Sequence, residues 1–285
     1  MKPEPAEATF RRVGVIGLGV MGGSLLRALG ALRDPPERAG WSPSREERRA
    51  ALAARALERA PETLEEVLDG ADLVVVAAPL GATCALLGEM ADSLAPEAVV
   101  TDVASLKDPV ARAARAAGLE GRWVGSHPLC GSARSGFEAS RADLYAGARV
   151  YLTSGPGAEG AHRRVAALWA SLGARPVRAE AAAHDHLMAA VSHLPQLTAN
   201  ALADVLADRN VRGGDLGPGA RDMTRLAASN PGIWGDLLEA RSDDVSELLR
   251  ALAERVSFLA ERLEAGDVDA VRALMERTRA WSDAS

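Results

Sequence analysis

The feature that most constrains this chain is a cluster of glycines that interrupts an apolar run near its N-terminus. Residues 13–24 read VGVIGLGVMGGS, so that Gly17, Gly19 and Gly22 have the spacing G-x-G-x-x-G. The preceding residues are typical of a strand, and residues 24–32 are typical of a helix. Glycines at this spacing allow a tight turn, close approach of the backbone to a pyrophosphate, and close packing of the helix on the strand. We therefore predict a dinucleotide site formed by Gly17, Gly19, Val20, Met21 and Gly22, with an ordinary strand-to-helix turn as the alternative.

The composition is that of an ordinary globular enzyme. Of 285 residues, 48% are hydrophobic and 25% are charged, and no apolar run approaches the ~20 residues of a membrane span. The first residues, MKPEPAEATFRR, include acids and prolines where a signal peptide has an apolar core. We therefore expect a cytoplasmic protein that does not bind membranes. A net charge of −6 argues against nucleic acid as the main partner. Cys84 and Cys130 match no metal or redox spacing, so no metal site is expected.

The order of predicted elements indicates two domains. Short apolar strands alternate with helical stretches in the first part, which predicts a parallel sheet covered on both faces. The strands are expected at 73–79, 98–102, 122–126 and 149–153. After Arg178 the pattern is helical throughout. We predict an α/β domain followed by an all-α domain, with a disordered tail over 1–10, a dinucleotide-binding domain over 11–178 and a helical domain over 179–285.

Chemically useful residues stand where the predicted strands end, which is where open parallel sheets bind ligands. His127 follows a strand and precedes proline and a glycine- and serine-rich loop, so a functional role is favoured over a packed core histidine. Lys107 is one of only two lysines among 33 basic residues. Where arginine serves nearly everywhere, an internal lysine indicates a place that the wider guanidinium would not fit. We predict that Lys107 and Pro79 contact the cofactor; an unreplaced surface lysine is the alternative.

The helical region adds a third group of candidates. His193 lies in an apolar helical run beside Pro195 and Gln196, the only glutamine in the chain, which makes a site histidine as plausible as a packed one. Arg221 and Arg225 are two of 31 arginines. By spacing alone these two arginines are surface charges.

Five motifs together resemble one family. GLGVMGGS, TDVASLK, GSHPLCGSARSGFEAS, AVSHLPQ and ARDMTRLAASNPGIW occur in this order and are similar to those of prephenate dehydrogenase, the TyrA-type enzyme of tyrosine biosynthesis. The resemblance implies a Rossmann-type domain followed by a helical dimerisation domain, and therefore a homodimer. In a chain of this length it implies the monofunctional form.

The same resemblance implies an activity and roles for residues. The reaction is oxidative decarboxylation of prephenate to 4-hydroxyphenylpyruvate, with hydride transfer to a nicotinamide cofactor. His127 would accept the hydroxyl proton, and Ser105 would keep His127 and the nicotinamide in register. Arg225 would pair with a substrate carboxylate. The other substrate contacts implied are His193, Ser132 and Arg221.

Two positions depart from the family pattern. Ala133 stands where some relatives have a glutamate, so the resemblance does not extend to an ionic gate between that acid and the substrate arginine. Arg221 stands where lysine is frequent, which agrees with the general preference of this chain for arginine.

Three other functions are alternatives for this chain. The β-hydroxyacid dehydrogenases use a lysine of the helical domain, and this chain has no lysine after Lys107. A protein that senses NAD(P) without turnover would not need His127 and Arg225 together. Arogenate dehydrogenase, or a cyclohexadienyl dehydrogenase of dual specificity, would require an acceptor for the substrate amine. No motif places such an acid, so we favour prephenate.

The second predicted strand bears on the choice of cofactor. In NAD-binding domains an acid about 20 residues past the glycines bonds the ribose 2′-hydroxyl. That position is Ser42 here, and residues 39–45 contain no acid. Ser42, Ser44 and Arg45 instead suggest a cradle for a 2′-phosphate. We predict NADP, with NAD as the alternative if Ser42 only caps the next helix.

Overall fold

The computed structural model of the protein describes residues 10–131 and 134–283. Its first part is built on one sheet of seven strands in the order β2-β1-β3-β4-β5-β6-β7. The strands are β1 (Arg12–Ile16), β2 (Glu37–Trp41), β3 (Leu73–Val76), β4 (Val99–Asp102), β5 (Trp123–Pro128), β6 (Arg149–Ser154) and β7 (Arg175–Arg178). Of the tail predicted to be disordered, residues 1–9 lie outside the described residues. Phe10, the last residue of that tail, is buried beneath the guanidinium of Arg164.

Helices cover the sheet and make up most of the C-terminal part. They are α1 (Val20–Gly30), α2 (Arg45–Ala53), α3 (Leu64–Leu68), α4 (Leu80–Met90), α5 (Asp108–Ala116), α6 (Glu159–Ser171), α7 (Ala181–Met188), α8 (Leu194–Asp208), α9 (Pro218–Thr224), α10 (Gly235–Ala240), α11 (Ser242–Glu264) and α12 (Val268–Asp283). A π-helical turn, Ala189–His193, joins α7 to α8. Short 3-10 turns occupy Ala91–Ser93, Phe137–Ala139, Gly213–Asp215, Arg225–Ala228 and Pro231–Ile233. In the described ranges, no helix is both long enough and apolar enough to cross a bilayer.

The sheet buries both of its faces, as the continuous apolar strands predict. Along β3, Leu73 and Val75 belong to one apolar cluster, which also contains Leu25 of α1. Val74 and Val76 belong to the other cluster, together with residues of α4 and α5. Because successive strand residues point to opposite faces, this alternation is what a sheet covered on both sides requires. The α/β fold class with a following helical region is confirmed.

The sheet is mostly parallel, as predicted, but one pair of strands departs from that arrangement. β5 and β6 run antiparallel, with His127 opposite Tyr151, and β6 then pairs with β7 in parallel. A parallel neighbour requires a crossover, usually through a helix. The described part of the connection from β5 to β6 contains only the turn Phe137–Ala139 and no α-helix. The chain therefore returns beside β5 in the opposite direction.

The chain divides into two compact units. The first extends to Met188 and also includes Ser229–Ala240, and the second comprises Ala189–Ala228 and the residues from Arg241 onward. The division thus falls ten residues after the predicted boundary at 178. The reason is that α7 is tied to the start of α5, where the Asp185 carboxylate accepts hydrogen bonds from backbone N–H groups.

The second unit leaves much apolar surface uncovered. The helix α11 has 23 residues but buries only Val245, and no described residue of α12 is buried. Large apolar side chains on these two helices are more than half exposed, namely Val256, Leu263, Val268, Met275 and Trp281. The amphipathic pattern of the helices is therefore only partly satisfied within one chain.

Candidate functional site

The glycine loop joins β1 to α1 and has the geometry that its spacing predicts. Gly17 has φ of +99°, and a Cβ placed on it would lie 2.3 Å from the carbonyl oxygen of Ala77. A Cβ on Gly22 would lie 1.9 Å from the carbonyl oxygen of Gly17. Both positions therefore require glycine, the first for the turn and the second for close packing of α1. The helix begins at Val20, four residues before the predicted start.

Gly19 differs from its two neighbours, because its surroundings are open. A Cβ built on Gly19 would meet no atom within 4 Å. Gly19 is the N-cap of α1, and no side chain caps the helix. The first N–H groups of a helix have no intrahelical acceptor, and they carry its positive dipole end. The start of α1, including Val20 and Met21, therefore fits the pyrophosphate of a dinucleotide.

An acid from the first turn of α2, Glu47, lies against the end of β2, which the sequence does not predict. Ser42 is buried, and its hydroxyl donates to Glu47 Oε2 at 2.6 Å and accepts from the Ser44 N–H at 3.2 Å. Ser44 in turn caps α2 by accepting from the Glu47 N–H. Arg45 is the first residue of α2 and is exposed. The predicted cradle for a 2′-phosphate thus has its hydroxyls and its arginine. The Ser42 hydroxyl, however, already donates its hydrogen bond to the Glu47 carboxylate.

The structure does not support the predicted contact between Lys107 and the cofactor. Its side chain is fully buried, and its ammonium pairs with Asp102 and donates to the Ser126 carbonyl at 2.9 Å. Trp123 donates from its indole to the same carboxylate at 3.1 Å. Burial raises the pKa of Asp102, although the Lys107 ammonium lowers it. Lys107 therefore links β4 to β5 inside the core, beneath the edge where ligands bind.

His127 belongs to a chain of hydrogen bonds in the first unit that continues through His184 to Asp185. It lies near the carboxyl end of β5 and is half-buried. Its Nδ1 lies 2.9 Å from Nε2 of His184, and Nδ1 of His184 lies 2.7 Å from Oδ1 of Asp185. The two imidazole rings meet edge to face, with an interplanar angle of 81°. The side chains of His184 and Asp185 are fully buried.

Asp185 is stabilised as a carboxylate at the start of α5. Its Oδ1 accepts from the Lys107 N–H at 2.7 Å, and its Oδ2 accepts from the Asp108 N–H at 2.9 Å. Burial alone would raise the pKa of Asp185, but the bond from His184 and these two N–H bonds lower it below its ordinary value. No side chain of α5 itself caps this helix, so Asp185 satisfies its first N–H groups.

His184 and Asp185 are not among the site residues predicted from the sequence. The available signal is an adjacent His-Asp pair in a chain with only five histidines, in the first helix after the last strand. Ser105, predicted to position His127, lies half-buried in the loop between β4 and α5. At Nδ1 the partner of His127 is His184 rather than Ser105.

Pro79 lies on the ligand-binding edge of the sheet. It is exposed at the N-terminus of α4, just past the end of β3. Since β1 and β3 are parallel neighbours, Pro79 and the glycine loop share one edge of the sheet.

The remaining predicted site residues, apart from Ser132, belong to the second unit. His193 is buried at the end of the π-helical turn, and Arg221 and Arg225 are exposed at α9 and at the turn that follows it. Gln196 donates to the Leu226 carbonyl at 2.8 Å, which ties α8 to the turn that carries Arg225. Ser132, like Ala133, lies outside the described residues.

Two family models match this chain. The model described as prephenate dehydrogenase, nucleotide-binding domain, matches residues 37–178. The model described as prephenate dehydrogenase, dimerization domain, matches residues 180–277. The two matches follow one another with a single residue between them and together span most of the chain.

Individual relatives give the same result. The chain is 29% identical over 237 residues to a cyclohexadienyl dehydrogenase of Zymomonas mobilis, and the match covers 80% of each chain. It is 26% identical over 274 residues to a prephenate dehydrogenase of Lactococcus lactis, covering 94% of this chain and 75% of that one. A solved structure of prephenate dehydrogenase from A. aeolicus, in complex with hydroxyphenyl propionate and NAD+, matches with a TM-score of 0.86 and 26% identity, covering 96% of this chain and 98% of that one.

Proposed function

Because the chain belongs to the prephenate dehydrogenase family, we propose that it catalyses the oxidative decarboxylation of prephenate to 4-hydroxyphenylpyruvate in tyrosine biosynthesis. The observation that carries this proposal is the position of His127. It lies near the carboxyl end of β5, and β1, β3, β4 and β5 are parallel, so His127 shares the ligand-binding edge of the sheet with the glycine loop.

The proposed chemistry needs a base beside the substrate hydroxyl. A bound nicotinamide would supply the acceptor for hydride from the ring carbon that carries this hydroxyl. His127 accepts the hydroxyl proton as the carbon is oxidised, which leaves a ring ketone. Loss of the ring carboxylate as carbon dioxide makes the ring aromatic, and His127 returns the proton to the phenolate oxygen. One hydride leaves the substrate, and no proton is gained or lost overall.

Arg225 is proposed to bind a substrate carboxylate. Its guanidinium is exposed at the turn Arg225–Ala228, where it can present two N–H donors to one carboxylate. Arg221, His193 and Ser132 are proposed as further substrate contacts.

The substrate is proposed to be prephenate rather than arogenate, which carries an amine where prephenate has a keto group. A bound amine would need a carboxylate or another acceptor, and no motif places one. The similarity to a cyclohexadienyl dehydrogenase of Zymomonas mobilis makes dual specificity the second candidate. Comparing kcat/KM for the two purified substrates separates them, and a preference for arogenate of about tenfold, or 1.4 kcal/mol, would reverse this assignment.

The direct test of the activity is product formation. Purified protein incubated with prephenate and an oxidised nicotinamide cofactor should form reduced cofactor, carbon dioxide and 4-hydroxyphenylpyruvate in equal amounts. A folded protein that binds the cofactor but turns over neither prephenate nor arogenate would instead be a sensor of NAD(P), and the proposal would be rejected.

NADP is proposed as the preferred cofactor. Its support is the absence of an acid from residues 39–45 and the exposed Arg45 at the start of α2, which is suited to a 2′-phosphate. The bond between Ser42 and Glu47 opposes it, because the carboxylate must move away from a bound phosphate. The A. aeolicus structure contains NAD+, which makes NAD the alternative.

A homodimer is proposed as the assembled form. The match to a dimerization domain supports it, and so do the exposed apolar side chains of α11 and α12. Burying these helix faces against a second copy would give a largely apolar interface above about 2,000 Å².

A further inference from the structure

We propose that His184 and Asp185 act as a relay that fixes the tautomer of His127 and shares the proton that His127 accepts. This inference rests on the proposed function, because it takes His127 as the base. His184 touches neither substrate nor cofactor in this scheme. It is a positioning residue that acts through the 2.9 Å contact between its Nε2 and His127 Nδ1.

The first step fixes the proton on His184. Hydrogen bonds lower the pKa of Asp185, so its carboxylate is ionised at neutral pH and can only accept. Nδ1 of His184 lies 2.7 Å from Asp185 Oδ1 and must therefore donate. The neutral ring of His184 then has its proton on Nδ1 and a lone pair on Nε2.

The second step fixes the proton on His127. Since Nε2 of His184 is an acceptor, Nδ1 of His127 must be the donor across the 2.9 Å contact. A neutral imidazole carries one ring proton, so Nε2 of His127 has the lone pair. That is the protonation state which a base needs before it removes the proton of a substrate hydroxyl.

The third step concerns the charge after proton transfer. When Nε2 of His127 gains a proton, the ring becomes an imidazolium whose Nδ1–H points at His184. Breaking that N–H bond and forming one at His184 Nε2 moves the positive charge next to the Asp185 carboxylate. A buried charge is stabilised by such a hydrogen-bonded partner. The proton count is unchanged, and the reverse transfer restores His127.

Among the described residues around His184, Asp185 is the charged group that contacts its imidazole ring. From β6, Tyr151 meets the imidazole edge to face at 5.2 Å, and Arg149 donates to the Tyr151 hydroxyl. From α5, Lys107 and Asp108 reach Asp185 through backbone N–H groups. The Lys107 ammonium is itself neutralised by Asp102.

Two substitutions at His184 separate positioning from proton sharing. In His184→Gln the amide oxygen can accept from His127 and the amide N–H can donate to Asp185, so the tautomer is kept but no proton can be taken up. In His184→Phe both bonds are lost. His186→Gln is the matched control, because His186 is exposed on the same helix two residues away.

The expected kinetics differ among these variants. His184→Phe should lower kcat for prephenate by about 10- to 100-fold and leave KM little changed. This loss is smaller than the one expected for removing the general base itself. The acid limb of its kcat/KM profile should move to lower pH by about one unit, because the imidazolium of His127 has lost its acceptor. His184→Gln should recover part of kcat, and His186→Gln should match the wild type. Equal losses in the Gln and Phe variants without a shift of the pH profile would overturn the relay.

The tautomer can also be measured without activity. In protein labelled with ¹⁵N-histidine, nitrogen chemical shifts should show a protonated Nδ1 and an unprotonated Nε2 for both His127 and His184. A proton on His127 Nε2 would overturn the relay even if the enzyme turns over prephenate. A wild-type protein inactive toward prephenate and arogenate would reject the proposed function, while the nitrogen shifts would still decide whether the relay exists.

Discussion

The ammonium of Lys107 and the carboxylate of Asp102 form a fully buried ion pair between β4 and β5. The pair lies among Trp123, Ala104 and the Ser126 carbonyl, all of which bond to one of its two members. A second buried carboxylate, that of Asp185, bonds to the backbone N–H of the same lysine. Buried polar contacts directly beneath the candidate site thus stabilise the fold of the first unit.

Removing Lys107 should therefore reduce stability without weakening cofactor binding. Lys107→Met leaves the Asp102 carboxylate buried without its partner, which should lower the free energy of unfolding by about 3–5 kcal/mol. Urea denaturation measures this loss, and calorimetric titration with the cofactor measures affinity. A variant of wild-type stability that no longer binds cofactor would mean that Lys107 contacts the cofactor after all.

Replacing Gly22 or Gly19 of the loop by alanine should affect different properties, namely stability in the first case and cofactor binding in the second. Gly22→Ala places a methyl group 1.9 Å from a backbone oxygen, so the expected loss of stability exceeds about 3 kcal/mol. Gly19→Ala meets no atom of the protein, so the protein should fold normally. Its methyl group would instead occupy the approach to the helix start and weaken cofactor binding about tenfold or more, that is, by at least 1.4 kcal/mol. Unchanged cofactor affinity in folded Gly19→Ala protein would contradict the placement of the pyrophosphate.

Arg45 should decide between the two nicotinamide cofactors. Arg45→Ala should raise KM for NADP about tenfold or more, as expected for losing a charge-assisted bond of 1.4 kcal/mol or greater, and leave KM for NAD unchanged. Arg49→Ala is the matched control, since Arg49 is exposed further along α2. A wild-type preference for NAD, or equal losses with both cofactors in the Arg45 variant, would contradict the NADP proposal.

The exposed helix faces of the second unit should be covered by a second chain. Sedimentation equilibrium at micromolar concentration should give the mass of two chains. Val256→Asp, which places a charge on the apolar face of α11, should shift the mass toward one chain, because an unpaired charge is costly to bury. A wild-type protein with the mass of one chain would refute the dimer.

The sequence predicts well those features that depend on neighbouring residues. The spacing of Gly17, Gly19 and Gly22 specifies a loop whose three positions have the expected turn, opening and close contact. Continuous apolar strands predict a sheet buried on both faces. The sequence pattern predicts too late a start for α1, because Gly22 and Gly23 lie inside the helix, where glycine is intrinsically unfavourable.

The sequence does not predict features that depend on how strands, helices and loops meet in three dimensions. The apolar pattern of β6 is the same for either strand direction, so its antiparallel pairing with β5 cannot be read from it. The contact of His127 with His184 joins residues 57 positions apart. The bond between Ser42 and Glu47 arises because the first turn of α2 brings an acid back to the end of β2. Lys107 was recognised as unusual, but its partner could be found only in three dimensions.

The most direct test of the account is the turnover of prephenate by His127→Asn compared with the wild type under saturating cofactor. Asparagine keeps a polar side chain of similar reach but cannot accept a proton at this site. We expect kcat to fall by roughly 10²–10⁴-fold, the usual contribution of a general base, while the protein still folds and binds the cofactor. Turnover that survives the substitution nearly intact would show that His127 is not the base and would contradict the account.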